Sequence, residues 1–317
     1  MEIPFIRDTK VEYGACERLS PLVRRVVCNN PNPFTFTGTG TFIIGNGTVA
    51  IIDPGPLNEA HLDSIMAALQ PSEIVSHILV THTHADHSPL AVPLKERTHA
   101  LVCGALRPPK NKTQKIEAVN LDEGISLEEA IDQSFKPDIV LQDNDELTGA
   151  DWTLQALYTP GHISDHMCYA LQEEKTLFTG DHVMGWATSV IAPPDGNMRD
   201  YMAALHRLLA RDDVLYRPTH GAAIENPQVF VRAYIAHREA RQAQILEQLE
   251  KGATQIADIV AVLYADIDVR LHPAASLSVL AHIQALIEDG IVICDSSTGG
   301  GTASLHANYN LTGTKSS

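Results

Sequence analysis

Residues 81–87 read Thr81-His82-Thr83-His84-Ala85-Asp86-His87 and directly follow the apolar run Ile78-Leu79-Val80. If the chain stays extended through residue 84, His82 and His84 point to the same side, because side chains alternate along a strand. Asp86 and His87 come after the chain begins to turn, so they face a second point close by. A polar loop merely rich in histidine is the competing interpretation, but it would desolvate several imidazoles without partners. The spacing therefore predicts half-sites for two metal ions.

Four further motifs lie in a fixed order around this stretch. They are Ile51-Ile52-Asp53-Pro54-Gly55 upstream, and Thr159-Pro160-Gly161-His162, Thr179-Gly180-Asp181-His182 and Pro218-Thr219-His220-Gly221 downstream. Together with the histidine stretch, they resemble the metallo-β-lactamase superfamily. Five motifs in order, across about two thirds of the chain, are far more specific than any one of them. The resemblance implies an α/β fold, the four-layer αββα sandwich of that family, and a metal-dependent hydrolase.

Composition limits the number of domains and the kinds of partner. A chain of 317 residues predicts one large domain and a small one. The net charge of −16 disfavours a general nucleic-acid surface, because such affinity is built largely from Lys and Arg contacts to phosphates. The five scattered cysteines favour free thiols in a reducing compartment. With no signal-peptide pattern and no apolar run of the ~20 residues that a membrane span needs, we expect a cytoplasmic protein that makes no membrane contact.

The order of predicted elements divides the chain into two units. Short strands, an amphipathic helix over 57–69 and the strand 75–80 that carries the histidines belong to the first unit, predicted to span residues 1–225 as the metallo-β-lactamase domain. The strand–helix pattern breaks down over about 107–135, which we interpret as an insertion. This insertion could form a lid, a contact surface or a solvated loop.

Residues 226–317 have a different pattern. Helices are predicted over 229–249, 256–264 and 274–288, a strand over 291–294, a glycine-rich turn, and a returning strand over 303–306 before a flexible C-terminal end. This is the element order of a small winged-helix-like domain. No Lys or Arg occurs from Leu271 through Ile293, which is unfavourable for reading DNA. We expect this unit to pack on the main domain, form a homodimer interface or wall the active site.

The resemblance also assigns ligands, residue by residue. It places His82, His84 and His162 on a first metal, Asp86, His87 and His220 on a second, and Asp181 as a bridge between them. Imidazole and carboxylate donors suit zinc first, with manganese or iron as alternatives. Two divalent ions so held can share a hydroxide, because metal binding lowers the pKa of water towards ~7. Asp53 is expected to support the histidine stretch from behind.

Two further residues are candidates for catalysis. Asp86 could shuttle protons if only one metal is bound. His166 could donate to a developing oxyanion or orient a ligand; the alternative is an ordinary hydrogen-bonded loop histidine. His182, which follows Asp181, is expected to be a packed histidine and not a ligand.

Within the superfamily, the motifs and the tail from Thr159 to Cys294 resemble the β-lactamase-like protein 2 group. That group joins a metallo-β-lactamase domain to a terminal winged helix, and it includes a single-strand endoribonuclease and acyl-thioester hydrolases. One mismatch is Gly38-Thr39-Gly40-Thr41, where the group tends to have Gly-Thr-Asn-Thr. Asp181 stands where some true metallo-β-lactamases place a cysteine ligand, so antibiotic hydrolysis is a lesser expectation.

These observations predict a hydrolase whose di-metal-bound hydroxide attacks the carbonyl of a small-molecule ester, thioester or lactone. The alternative is a phosphodiesterase acting on single-stranded RNA, which would need a local basic groove from Lys110, Lys112 and Lys115. A third possibility is a non-catalytic binding module that keeps the fold, although the complete ligand set argues against it.

Overall fold

A computed structural model of the protein describes residues 2–108, 120–121, 125–126, 131–266, 269, 272–295 and 303–313. In chain order, its strands are β1 (Cys16–Arg18), β2 (Val23–Val27), β3 (Gly40–Ile44), β4 (Thr48–Ile52), β5 (Ile74–Leu79), β6 (Leu101–Gly104), β7 (Asn120–Leu121), β8 (Ile125–Ser126), β9 (Ile139–Val140), β10 (Glu146–Thr148), β11 (Thr153–Tyr158), β12 (Met167–Leu171), β13 (Thr176–Gly180), β14 (Leu215–Pro218), β15 (Val292–Cys294) and β16 (Tyr309–Leu311). Its helices are α1 (Glu59–Ala68), α2 (Ala91–Thr98), α3 (Met198–Leu209), α4 (Pro227–Glu250), α5 (Ile256–Leu263) and α6 (His272–Glu288).

Two large mixed sheets form the main body. The first has the strand order β1-β2-β3-β4-β5-β6-β9, antiparallel from β1 to β4 and parallel from β4 onward. The second has the order β10-β11-β12-β13-β14, antiparallel except for the last pair. Two short antiparallel pairs, β7–β8 and β15–β16, stand apart from them.

The alternation of side chains along β4 shows how the layers stack. Ala50 and Ile52 point into the core shared with the second sheet, whereas Val49 and Ile51 point to the opposite face. On that face Leu62 and Ile65 of α1 and Leu94 of α2 cover the first sheet. Helices α3 and α4 cover the outer face of the second sheet through Tyr201, Leu205, Phe230 and Tyr234. The predicted αββα sandwich is therefore confirmed.

The C-terminal elements have a core of their own. Side chains from α4, α5, α6, β15 and β16 meet in it, among them Ile245, Ile259, Leu280, Val292 and Tyr309. This helix–helix–helix–hairpin order confirms the winged-helix-like unit. One detail was wrong: the returning strand is β16, not residues 303–306. Residues 305–306 lie in a turn, because the Tyr309 hydroxyl hydrogen-bonds to both backbone groups of Ser304.

Four sequence predictions are not tested by the fold. The glycine-rich turn and the last residues, 314–317, lie outside the described residues, as does most of the insertion. The boundary between residues 225 and 226 stays a prediction. In the described part of the chain, no helix has both the length and the apolar character needed to cross a membrane.

The four motif loops begin where strands of both sheets end. Thr81 follows β5 of the first sheet, and Thr159, Asp181 and Thr219 follow β11, β13 and β14 of the second. Loops that leave neighbouring strand ends converge at one edge of the sandwich, which is where α/β folds place their sites. This edge holds the candidate site.

Candidate metal centre

Seven predicted ligands gather at this edge in three overlapping groups, within which the ligand atoms all lie within 4.8 Å of one another. The first group is His82, His84 and His162, and the second is Asp86, His87 and His220. A third, His82, His87 and Asp181, connects the two. The structure thus brings together all seven residues that the resemblance assigned; their binding of metal stays a prediction.

The first group presents three ring nitrogens to one point. His84 Nδ1 lies 2.9 Å from His82 Nε2 and 3.1 Å from His162 Nε2. His162 Nδ1 donates to the Val190 carbonyl at 2.6 Å, so its Nε2 presents a lone pair in the neutral ring. Neutral rings have too few inward N–H groups to satisfy all these contacts, whereas a cation at their centre would satisfy each lone pair.

In the second group, hydrogen bonds to the outer ring nitrogens orient the imidazoles, as at His162. His87 Nδ1 donates to Asp53 Oδ2 at 2.9 Å, and His220 Nδ1 donates to the Gly38 carbonyl at 3.1 Å. Both Nε2 atoms are therefore directed inward, where they are buried and have no partner with hydrogen-bond geometry in the described residues. Asp86 Oδ2 lies 3.1 Å from His220 Nε2 and 3.6 Å from His87 Nε2. Acceptors on the outer nitrogen are the usual way in which proteins fix a metal-binding tautomer.

Asp181 lies between the two groups. Its Oδ1 is 3.4 Å from His220 Nε2 and 3.7 Å from His87 Nε2, whereas its Oδ2 is 3.8 Å from His162 Nε2. Oδ1 is buried without a hydrogen-bond partner in the described residues. One carboxylate thus directs one oxygen to each group, which is the arrangement that a bridging ligand needs.

The electrostatics of the cluster favour cation binding. Burial lowers the pKa of His82 well below its ordinary value and that of His84 to about 3, so both rings are neutral. Burial opposes charge at Asp86 and Asp181 as well, but neighbouring imidazoles hold the pKa of both carboxyls well below the usual range. Burial likewise opposes charge at His87 and His220, yet the carboxylates of Asp86 and Asp181 raise the pKa of both rings, so a metal ion that binds there must displace a proton from each. Neutral imidazoles and ionised carboxylates are the forms that bind metals.

Together, the donor set and the unpartnered buried atoms fit two divalent cations. The clusters have the nitrogen and oxygen donors that zinc, manganese or iron accept. Which metal is bound stays a prediction.

Asp53 supports the site from behind, as predicted. The residue is fully buried and accepts hydrogen bonds from the Thr81 amide and hydroxyl, both at 2.8 Å. Besides His87, it accepts the Thr219 hydroxyl at 2.7 Å. One carboxylate therefore ties the loops after β5 and β14 together. Sequence analysis missed Thr81 and Thr219 in this role, since nothing in a lone threonine indicates a partner in a distant loop.

His166 does not face the centre of the site. It is fully buried, its Nε2 accepts the Asp181 amide at 3.2 Å, and its Nδ1 donates to the Thr159 hydroxyl at 2.9 Å. This geometry favours the predicted orienting role over donation to substrate. Gly180 makes the close approach possible: its φ is +51°, and a Cβ there would lie 2.6 Å from His166 Nε2.

His182 is packed in the core, as predicted, and it belongs to none of the ligand groups in the described part of the chain; that it holds no metal stays a prediction. It is fully buried and packs on the Tyr201 ring, with ring centroids 4.6 Å apart.

The two ends of the insertion make different contacts, and one of them lies against the histidine stretch. Ile131 forms an isolated bridge with His84, and the Asp132 amide donates to the Thr83 carbonyl at 2.7 Å. On the other end, Arg107 forms an ion pair with Asp195 at 2.8 Å. Lys110, Lys112 and Lys115 lie outside the described residues. The end of the insertion at residues 131–132 is therefore anchored on the histidine stretch, and the other end is held by Asp195.

The mismatch at Gly40 has a local explanation. The Gly40 amide donates to the Thr219 carbonyl at 2.8 Å, one residue before His220. A Cβ at Gly40 would lie 3.1 Å from that carbonyl oxygen and 3.3 Å from Arg25 Cδ. Glycine thus leaves room for Arg25 beside the loop that carries His220.

Comparisons with known proteins agree with this architecture. Residues 35–220 match the family model of the metallo-beta-lactamase superfamily, and residues 256–301 match that of the beta-lactamase associated winged helix domain. The chain is 31% identical over 301 residues to an atrochrysone carboxyl ACP thioesterase of Cryptosporiopsis sp. (strain 8999), covering 89% of this chain and 85% of the relative. It is 30% identical over 280 residues to a beta-lactamase-like protein 2 homolog of Caenorhabditis elegans, covering 87% and 88%.

Solved structures share the fold over nearly the whole chain. A beta-lactamase domain protein from Burkholderia ambifaria aligns with a TM-score of 0.76 at 19% identity, over 98% of this chain and 97% of that one. A metallo-beta-lactamase family protein from Thermus thermophilus aligns with a TM-score of 0.70 at 20% identity, over 93% and 100%. These likenesses include the C-terminal unit as well as the sandwich.

Proposed function

Because the chain belongs to the metallo-beta-lactamase superfamily, we propose that it is a metal-dependent hydrolase of small-molecule thioesters, with ester and lactone carbonyls as related substrates. The observation that carries this proposal is the pair of adjoining ligand groups joined by Asp181, whose inward nitrogens and oxygen are buried and unpartnered. Two metal sites this close are typical of enzymes that activate water.

In the proposed assignment, His82, His84 and His162 hold one cation, Asp86, His87 and His220 hold the other, and Asp181 contacts both. When bound, such ions lower the pKa of a water molecule and polarise the substrate carbonyl. Asp53, Val190 and Gly38 keep the outer imidazole nitrogens protonated, so the inner nitrogens stay available.

The reaction adds a water oxygen to the acyl carbon, breaks the carbon–sulfur bond and leaves a carboxylate, a thiol and one released proton. A proton must therefore move from water to the departing sulfur. With only the first metal bound, Asp86 is suited to relay it, because 26% of its side chain is exposed, compared with 11% for Asp181 and none for His87. His166 is not suited to this role. A proton relay needs contact with the reacting groups, whereas the Nε2 of the buried His166 accepts the Asp181 amide.

The thioester class is supported by the relatives. One is named an atrochrysone carboxyl ACP thioesterase in Cryptosporiopsis, and another of that name occurs in Claviceps purpurea, 30% identical over 269 residues. An apolar surface suited to an acyl group stands next to the ligands: Phe36 and Trp186 stack with ring centroids 4.8 Å apart, and both approach Gly221, the residue after His220.

The test combines metal content with turnover in the same preparations. We expect about two metal ions per wild-type chain and release of free thiol from an acyl thioester. Asp181→Asn should lose metal and reduce thioester hydrolysis by at least about 100-fold, because the variant keeps the shape but lacks the bridging charge. Asp212→Asn, which removes an exposed carboxylate paired with Lys175, is the matched control. Wild-type protein that binds two metals yet hydrolyses no thioester, ester or lactone contradicts the proposal.

Other sequence predictions stay as they were. Three of them are cleavage of single-stranded RNA, a homodimer and a cytoplasmic location. No contact among the described residues favours any of the three. A purely non-catalytic role conflicts with relatives that are named hydrolases.

A further inference from the structure

His84 differs from the other four histidine ligands in how its ring is held. The outer nitrogens of the other four donate to the Thr81 hydroxyl, the Asp53 carboxylate and the carbonyls of Val190 and Gly38. His84 directs its Nδ1 inward, and its Nε2 makes no hydrogen bond with the residues that the structure describes. The position of this ring therefore depends on the backbone that carries it.

The backbone before His84 is held through Thr83, which lies between two ligands in the chain. Thr83 is 2% exposed, and its carbonyl accepts the Asp132 amide at 2.7 Å. Its hydroxyl donates to Asp165 Oδ2, also at 2.7 Å. These two contacts fix both the main chain and the side chain of Thr83, and with them the point from which the His84 ring extends.

Asp165 belongs to the loop that carries His162. It lies three residues after that ligand, whereas Thr83 is 82 positions away in the chain. The hydrogen bond between Thr83 and Asp165 therefore joins the loop after β5 to the loop after β11. Between them, these two loops supply all three ligands of the first group.

The carboxyl group of Asp165 is costly to bury. Only 1% of the residue is exposed, and Oδ1 is buried without a hydrogen-bond partner in the described ranges. Burial raises the pKa of this carboxyl to about 6, and the hydrogen bond from Thr83 opposes that rise only in part. Since an apolar side chain of similar size would fill this space without the desolvation cost, the contact with Thr83 is what distinguishes Asp165 from a packing residue.

We propose that Asp165 is a positioning residue for the first metal, and that through Thr83 it fixes His84 relative to His162. Asp53 supports the second group by a hydrogen bond to a ligand ring, whereas Asp165 supports the first group through the backbone. The inference rests on the metal assignment proposed above. It does not depend on which substrate is hydrolysed.

The experiment measures zinc affinity at one ligand group at a time, by competition with a chromogenic chelator in full-length protein. Asp86→Ala removes a ligand of the second group and His84→Ala one of the first, so each background reports the group that remains. Asp165→Ala should weaken zinc binding about 10- to 100-fold in the Asp86→Ala background. In the His84→Ala background it should change the affinity by less than about twofold.

Variants of Thr83 test whether the hydrogen bond carries the effect. In the Asp86→Ala background, Thr83→Val removes the hydroxyl and keeps the shape, so it should weaken zinc binding about as much as Asp165→Ala, and combining the two should add little. Thr83→Ser keeps the hydroxyl and should retain most of the affinity. Asp143→Ala is the matched control, because this carboxylate accepts the Tyr158 amide directly before the same loop; it should leave both affinities unchanged.

Two results would overturn the role of Asp165. Equal weakening in both backgrounds would mean that the residue supports the fold and not the first group in particular, and unchanged affinity in Asp165→Ala or Thr83→Val would mean that the hydrogen bond does not position His84. Because affinity is measured without substrate, these results are distinct from a failure of the proposed reaction. A wild-type protein that binds no zinc would overturn both proposals, whereas one that binds zinc but hydrolyses no thioester contradicts only the reaction.

Discussion

Asp53 Oδ2 lies 2.9 Å from His87 Nδ1, although the two residues are 34 positions apart in the chain. The same carboxylate accepts from Thr81 and Thr219, so it joins the loops after β5 and β14 and sets the direction of the His87 ring. We expect Asp53→Asn to reduce metal affinity by about 10- to 100-fold, because an amide can orient only part of this network. Competition with a chromogenic chelator measures the change.

The same substitution should lower the free energy of unfolding by about 3 kcal/mol, since it leaves buried donors unsatisfied. Asp151→Asn is a matched control. This exposed carboxylate accepts hydrogen bonds from the backbone and side chain of Asn46, in the turn between β3 and β4. If Asp53→Asn retained metal as firmly as this control, the orienting role assigned to Asp53 would be wrong.

Individual strands and the pairing of two histidines could be predicted from short-range patterns, whereas the four-layer sandwich and the full ligand set were implied by the resemblance of the ordered motifs. The alternation of Val49, Ala50, Ile51 and Ile52 fixes a strand buried on both faces, and His82 and His84 share one side of an extended segment. Asp53 could be anticipated because it stands in a motif of the resemblance.

What the sequence could not show is which distant backbone groups hold the ligands. His162 depends on the Val190 carbonyl and His220 on the Gly38 carbonyl, and carbonyls carry no residue-specific signal. The position of β16 was missed for a similar reason, because the Tyr309 hydroxyl caps a turn five residues earlier. The contact between Thr83 and Asp165 likewise emerges only once the loops after β5 and β11 meet.

His166 provides a test between orientation and proton donation. His166→Phe removes the acceptor for the Asp181 amide, so we expect metal affinity to fall about tenfold or more and activity to recover at high metal concentration. His166→Gln can restore an acceptor and should recover part of the affinity. Metal titration of thioester hydrolysis in the three proteins gives both quantities.

A proton donor would behave differently from an orienting residue. In that case both variants would bind metal normally and lose kcat to a similar extent, even at saturating metal. Such a result would show that His166 donates a proton to the substrate and does not act by orienting Asp181.

His61 should make stability depend on pH. Its Nε2 donates to the Thr41 hydroxyl, which itself donates to the Asp53 carbonyl, so only the buried, unpartnered Nδ1 can take up a proton. Burial lowers the pKa of His61 from 6.5 to about 4. Below pH 6.5 the unfolded chain binds a proton that the folded protein excludes, so stability falls as pH drops and levels off below about 4.

His61 alone should lower the free energy of unfolding by about 3 kcal/mol as the pH falls from 6.5 to about 4. His61→Gln keeps a donor for Thr41 but cannot take up the proton, so its free energy of unfolding should be that much less sensitive to pH. Urea unfolding of both proteins at pH 7 and pH 4 gives the comparison. If both proteins lost the same free energy of unfolding between pH 7 and pH 4, His61 would be able to take up a proton in the folded protein, and the prediction would be wrong.

The stacked rings of Phe36 and Trp186 should select the acyl group of the substrate. Their ring centroids lie 4.8 Å apart with nearly parallel planes, and both rings would come within 4 Å of a Cβ built on Gly221, beside His220. If they pack against the acyl chain, Trp186→Ala should lower kcat/KM for a benzoyl or longer acyl thioester about tenfold more than for an acetyl thioester. Phe34→Ala, at a neighbouring phenylalanine that is 40% exposed, should leave this ratio unchanged. Equal losses on both substrates in Trp186→Ala would instead mean that the pair only supports the loop carrying His220, and the acyl group would have to be recognised elsewhere on the site edge.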